Sequence, residues 1–207
     1  MKIMKKLLFL SLSTLLFISC SSDDDVQPEY VPAAFEKGIL ITNEGPFSGG
    51  SGSVTYVSND YATVAQNIYR TVNGNSLGSI VQSMGFQDDN AYIVVNNSNK
   101  IMIANRYSFE SVDSITTGVN NPRYFVEAAG NKGYVTNWGD PTDNADDFVA
   151  VIDLRDNTVS HTIAVPYGPE KVVSYNNDVY VAHQGGYGHN NVISVISGNS
   201  VSNSIVV

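Results

Sequence analysis

The sequence predicts an all-β fold, a β-propeller of four-stranded blades, and three observations carry that prediction. Beyond residue 37 no segment sustains a helical period. Short β-branched and aromatic runs alternate there with Gly, Asn, Asp and Pro, the signature of strands and turns. The runs also recur: Tyr92, Tyr134 and Tyr180 mark a repeat of 42 to 46 residues, the length that a four-stranded blade needs. A blade buries its flat faces only against neighbouring blades, so a repeated sequence is itself a packing argument. A β-sandwich has equally short strands but no reason to repeat them.

The N-terminus indicates the compartment. Lys2, Lys5 and Lys6 precede an apolar run over residues 7–18, too short to span a bilayer, and residues 1–19 therefore read as a signal peptide. Ser19 is followed by Cys20, the only cysteine, in the arrangement of a bacterial lipobox whose Cys becomes the lipidated first residue. With Cys20 acylated, no disulfide can form and stability must come from a buried core. The acidic run Asp23-Asp24-Asp25 follows, and residues 20–37, with Pro28 and Pro32, read as a lipidated N-terminus and flexible tether. Removal of the signal peptide leaves eight basic residues against 20 acidic ones, which argues against nucleic acid and against electrostatic attachment to anionic lipid. Acyl chains would anchor the protein instead.

Within residues 38–207 the second strand of each unit is predicted at 38–43, 91–96, 133–138 and 179–184. A polar loop and a third strand follow each, at 53–57, 100–104, 149–153 and 191–196. The fourth strands are predicted at 111–116, 158–165 and 200–207, and Pro122 and Pro169 lead into the next units. The first unit begins at its second strand. About four blades are thus expected, as part of a larger, seven-bladed ring.

At these residues the sequence resembles a known group. Tyr134-Val135-Thr136-Asn137 is the tetrapeptide of YVTN propeller repeats. Asn43-Glu44-Gly45, Gln82-Ser83-Met84, Asn96-Asn97-Ser98, Pro122-Arg123-Tyr124 and Pro169-Glu170 resemble stretches of propeller lipoproteins on the surface of Bacteroidetes. The acidic run after Cys20 resembles the surface-export signal of the same proteins. The resemblance implies an outer-membrane, cell-surface lipoprotein that binds a nutrient for a TonB-dependent transporter. The cargo it implies is a corrinoid such as vitamin B12 (cobalamin) or an iron–siderophore complex. It implies neither enzyme activity nor a resident cofactor. The alternative is an adhesin or cell-envelope scaffold that binds protein or glycan; quinone-dependent oxidation, which some related propellers support, is a third class.

With strands lettered a to d outward, the b–c and d–a loops emerge on one face. The b–c loops at 44–52, 138–147 and 184–190 are long, while 97–99 is short. Binding residues are usually carried on such loops above a rigid scaffold. The candidate ligand residues there are Phe47, Asn97, Arg123, Trp138, Tyr167, His183, Gln184, Tyr187 and His189, aromatics interleaved with polar groups. Tyr92, Tyr134 and Tyr180 are expected in the core, and Arg123 and Glu170, each following a proline, can pair or cap turns. Asp140, Asp143, Asp146 and Asp147 offer oxygen ligands for calcium, without the glycine and distal glutamate of an EF-hand. His183 and His189 could share a metal. No catalytic residue is predicted: G-x-S-x-G is missing, and Gly49-Gly50-Ser51-Gly52 lacks the lysine and helix of a phosphate loop.

Overall fold

The computed structural model describes residues 32–207, so the predicted signal peptide, Cys20 and the acidic run lie outside the described residues. Four antiparallel sheets follow one another along the chain. The first has three strands, β1 (Gly38–Asn43), β2 (Ser53–Ser58) and β3 (Val64–Ala65). The second comprises β4 (Val81–Gln87), β5 (Asn90–Val95), β6 (Lys100–Asn105) and β7 (Ser111–Ile115). The third comprises β8 (Pro122–Ala128), β9 (Lys132–Asn137), β10 (Phe148–Asp153) and β11 (Thr158–Ala164). The fourth comprises β12 (Pro169–Tyr175), β13 (Asp178–His183), β14 (Val192–Ser197) and β15 (Ser200–Val206). Each four-stranded sheet runs in chain order, and the inner strands β4, β8 and β12 pack successively against one another. These are propeller blades, and among the described residues the first has no inner strand, as the sequence predicted.

Alternation along the strands explains why the blades stack. On β5, Ala91, Ile93 and Val95 join Val54 and Tyr56 of the first blade, while Tyr92 and Val94 join Phe125, Val135, Ala150 and Ile152 of the third. The same division recurs on β10, where Val149 and Val151 turn instead towards Val179, Val181 and Ile196 of the fourth. A strand buried on both faces must be almost continuously apolar, which is why these runs showed no polar alternation.

The repeated tyrosines staple one blade to the next. Tyr92 donates its hydroxyl to Asn157 Oδ1 at 2.8 Å, and Tyr134 donates to the Gly198 carbonyl, also at 2.8 Å. Both acceptors sit in the c–d turn of the following blade, at residues with φ of 58° and 64°. Tyr92 and Tyr134 are core residues, whereas Tyr180 is half-buried on the outer side of the fourth blade.

One element departs from the sequence reading. A short helix, α1 (Ile68–Asn73), follows β3 and buries Ile68 and Tyr69 in the first inter-blade core. Six residues make under two turns, too few to display a helical period, and Gly74 ends the helix at φ 75°.

Phe125 stacks on Tyr92 with ring centroids 4.4 Å apart and planes within 5°. Its ring passes between Gly85 and Gly133; a Cβ on either would lie 2.5 Å from it. Gly133→Ala should therefore lower stability by about 1–3 kcal/mol through overpacking. An unchanged denaturant midpoint would show instead that the ring can move aside.

Candidate functional site

Each inner strand begins with an irregular step in its pairing to the second strand: between Val81 and Ser83, Pro122 and Phe125, and Pro169 and Val172. Such bulges re-aim side chains, and here the residues within them are Gln82, Arg123, Tyr124, Glu170 and Lys171. Hydroxyls tie each blade to the inner strand of the next. Ser83 donates to the Arg123 carbonyl at 2.7 Å, and Thr136 donates to the Glu170 carbonyl at 2.8 Å.

Above these bulges lies a cleft of about 610 Å³, into which all four blades contribute loop residues. Phe47 comes from the first blade, Gln82, Asn96 and Asn97 from the second, Arg123 and Trp138 from the third, and Tyr187 from the fourth. Glu44, Asn120, Asn121 and Asp140 complete much of the wall. A smaller cleft of about 450 Å³ shares Glu44, Gln82 and Arg123 with it and adds Glu170, Lys171, His183 and Gln184. The predicted loop face is thus the face on which both clefts open.

The predicted residues divide by what they touch. Phe47 and Tyr187 are 78% and 75% exposed at the rim of the larger cleft. Trp138 is only 7% exposed. Its indole N–H donates to the Pro169 carbonyl at 3.0 Å, Arg123 lies 4.1 Å over the ring, and Tyr187 meets it edge-on at 6.1 Å. Trp138 therefore works as a packed base under the cleft, with Tyr187 standing on it. Arg123 forms a bidentate pair with Glu170, Nε to Oε2 at 2.8 Å and Nη2 to Oε1 at 2.9 Å. Asn97 lines the cleft and donates to Ser79 Oγ at 3.2 Å.

Tyr167 is not part of either cleft lining. Its hydroxyl accepts the Tyr187 N–H at 3.1 Å and its carbonyl accepts Asn190 Nδ2 at 2.8 Å, so it props the 184–190 loop. His183 is buried, with Nε2 2.9 Å from Ser194 Oγ, and desolvation lowers its pKa against smaller upward effects of the Tyr167 and Pro166 backbone. His189 is exposed and lines neither cleft.

The acidic loop, whose aspartates were candidate calcium ligands, does not gather them round one point. Asp140 accepts the Thr142 N–H at 2.9 Å, Asp143 accepts the Ala145 N–H at 2.9 Å, and Asp146 accepts the Asp140 N–H at 2.8 Å. These carboxylates are turned towards their own loop. Among the described residues no group of three or more His, Cys, Asp or Glu side chains is placed to hold a metal ion, so no third such ligand joins His183 and His189.

Sequence reasoning passed over Glu44, Gln82, Asn96 and Asn99 as site residues. Gln82 had a usable signal, since it occupies the same repeat position as Arg123 and Glu170. Asn96 had none: its buried amide donates to Asn121 Oδ1 and, at 3.1 Å, to the Pro122 carbonyl, a long-range pairing.

Asp147 is 2% exposed; Oδ1 accepts the Gly168 N–H at 2.9 Å and Oδ2 has no partner. Desolvation first, then the charges of Asp146 and Asp143, raise its pKa from the ordinary 3.8 to about 6 against the Gly168 bond. The folded state consequently holds this proton more tightly than the unfolded chain does. Its contribution to stability is greatest below about pH 4, falls between about pH 4 and 6, and is level above that. Asp147→Asn keeps the Oδ1 acceptor and should flatten a decline on the order of 2–3 kcal/mol, measured by denaturation across that range. An equally steep decline in the variant would assign the pH dependence to another group.

A family model described as Domain of unknown function (DUF5074) matches residues 37–206, and the chain belongs to that family. No curated protein matches it in sequence. Among solved structures it is similar to hydrazine synthase of Kuenenia stuttgartiensis, with a TM-score of 0.63 at 17% identity, over 85% of this chain and 47% of that one. A candidate 6-phosphogluconolactonase from Bacteroides fragilis gives a TM-score of 0.52 at 12% identity, over 86% of this chain and 54% of that one. The computationally designed Ika8 protein gives 0.53 at 8% identity, over 74% and 43%. The chain spans about half the length of these structures, and at such identities the likeness is one of fold.

Proposed function

We propose that this member of the DUF5074 family is a surface-exposed outer-membrane lipoprotein that captures a scarce nutrient for a TonB-dependent transporter. The observation that carries this reading is the larger cleft, built by loops from all four blades and rimmed by two exposed aromatics, Phe47 and Tyr187. A rigid stack of strands holds the loops, and exposed rings beside carboxamides suit a large, partly flat ligand. The lipobox at Cys20, the acidic run after it and the YVTN-type motifs support the location and the partner.

The role is capture alone. The loop face binds cargo, a corrinoid such as vitamin B12 or an iron–siderophore complex, and a partner barrel takes it up. The carboxamides lining the cleft also suit a glycan, which is the basis for the second reading, an adhesin or envelope scaffold.

Equilibrium titration of the lipid-free protein with cyanocobalamin tests the first reading, with Trp138 fluorescence as the signal. Saturable binding is expected, weakened about tenfold in Tyr187→Ala and in Phe47→Ala, as loss of an aromatic anchor would give. Saturable binding with the same affinity in both variants would remove the cargo from this face. No binding of cyanocobalamin or ferric siderophores, together with recovery of polysaccharide in a pull-down, would favour the adhesin.

A further inference from the structure

The charges around the larger cleft limit what it can hold. Among the described residues lining it, Glu44 and Asp140 are acidic and Arg123 is basic. Arg123 is already committed: its fork is bonded twice to Glu170 and its face rests on Trp138, with 14% of the side chain exposed. A carboxylate, phosphate or sulfate entering the cleft would have to compete with Glu170 for that fork while facing two further carboxylates. Lys171, in the smaller cleft, has its ammonium 3.6 Å over the Tyr124 ring, directed to that aromatic face.

Beside these two carboxylates, the groups left available are uncharged. The Asn120 carboxamide has no hydrogen-bond partner among the described residues, its backbone N–H being bonded to Asn137. Asn97 uses its amide N–H on Ser79 and keeps its oxygen, and Gln82 directs its amide N–H groups to Glu44 and Tyr124 and keeps its oxygen. Carboxamides both donate and accept, so they match ligand amides and hydroxyls in either sense. Phe47 and Tyr187 offer apolar surface beside them.

We infer that this cleft turns anions away and takes a ligand without net negative charge, one that carries carboxamide or hydroxyl groups around an apolar face. The inference rests on the binding-face reading above and divides its two nutrient classes. Ferric complexes of catecholate or citrate type carry net negative charge and fall on the excluded side.

Charged thiol reagents measure this selection without a ligand. In the full chain with its sole cysteine changed, Cys20→Ser, single variants Asn120→Cys and Asn97→Cys place a thiol at one or the other of two positions in the cleft lining. At low ionic strength the trimethylammonium-ethyl methanethiosulfonate should modify each about tenfold faster than the sulfonatoethyl reagent, relative to their ratio on free cysteine. Glu44→Gln with Asp140→Asn should shrink that preference. Equal rates at both positions, or faster reaction of the anionic reagent, would overturn the inference. The thiol rates report on the cleft alone, so they decide this point whether or not cyanocobalamin binds.

Discussion

A blade has two apolar faces and no means of covering either by itself. Everything else in this molecule follows from that requirement. The strands at the middle of each sheet send alternate side chains into different inter-blade cores, so Tyr92 and Ile93, adjacent in sequence, belong to separate clusters. Apolar burial of this kind is proportional to area and indifferent to angle. The tyrosine staples supply the missing direction, since a hydroxyl reaching the c–d turn of the next blade holds in one register only. Burial and staple together set the spacing of the blades.

The cleft lies where this packing scheme stops. At the start of each inner strand the pairing steps out of register, and the side chains there are released from the core. Arg123 and Glu170 use that freedom to bond across the boundary between the third and fourth blades. A pair so little exposed gains Coulomb energy but loses hydration, and its net contribution to stability is small. Its worth here is positional: it holds the guanidinium flat on Trp138, and Trp138 in turn supports Tyr187.

The fold was legible because the same packing problem is solved four times in one chain. The second strands predicted at 91–96, 133–138 and 179–184 each begin one residue after the observed strand, a displacement within the usual uncertainty of element ends. That the first blade has no inner strand among the described residues was legible for the same reason, as a gap in a repeat. Helix α1 was hidden, since its apolar positions are fixed by the core it plugs and it has no room to show a period. The face of the site could be read from strand order, which dictates where loops emerge. The roles of its side chains could not. Trp138 and Tyr187 look alike in sequence as loop aromatics, yet one is packed and the other stands in solvent, and contacts with Arg123, Pro169 and Tyr167 make the difference. The Asp140–Asp147 loop likewise reads as a ligand set only until Asp140, Asp143 and Asp146 are seen to bond the loop's own backbone.

The bulge at the head of each inner strand has an evolutionary consequence. Gln82, Arg123 and Glu170 occupy one position of the repeat and are respectively neutral, cationic and anionic, while the residues that staple and fill the blades recur. Mutation can therefore change what stands at these positions without reopening the question of whether the blades stack. Selection on a new ligand and selection on a folded scaffold then act on different residues. Relatives that share this scaffold need not share the chemistry of this cleft.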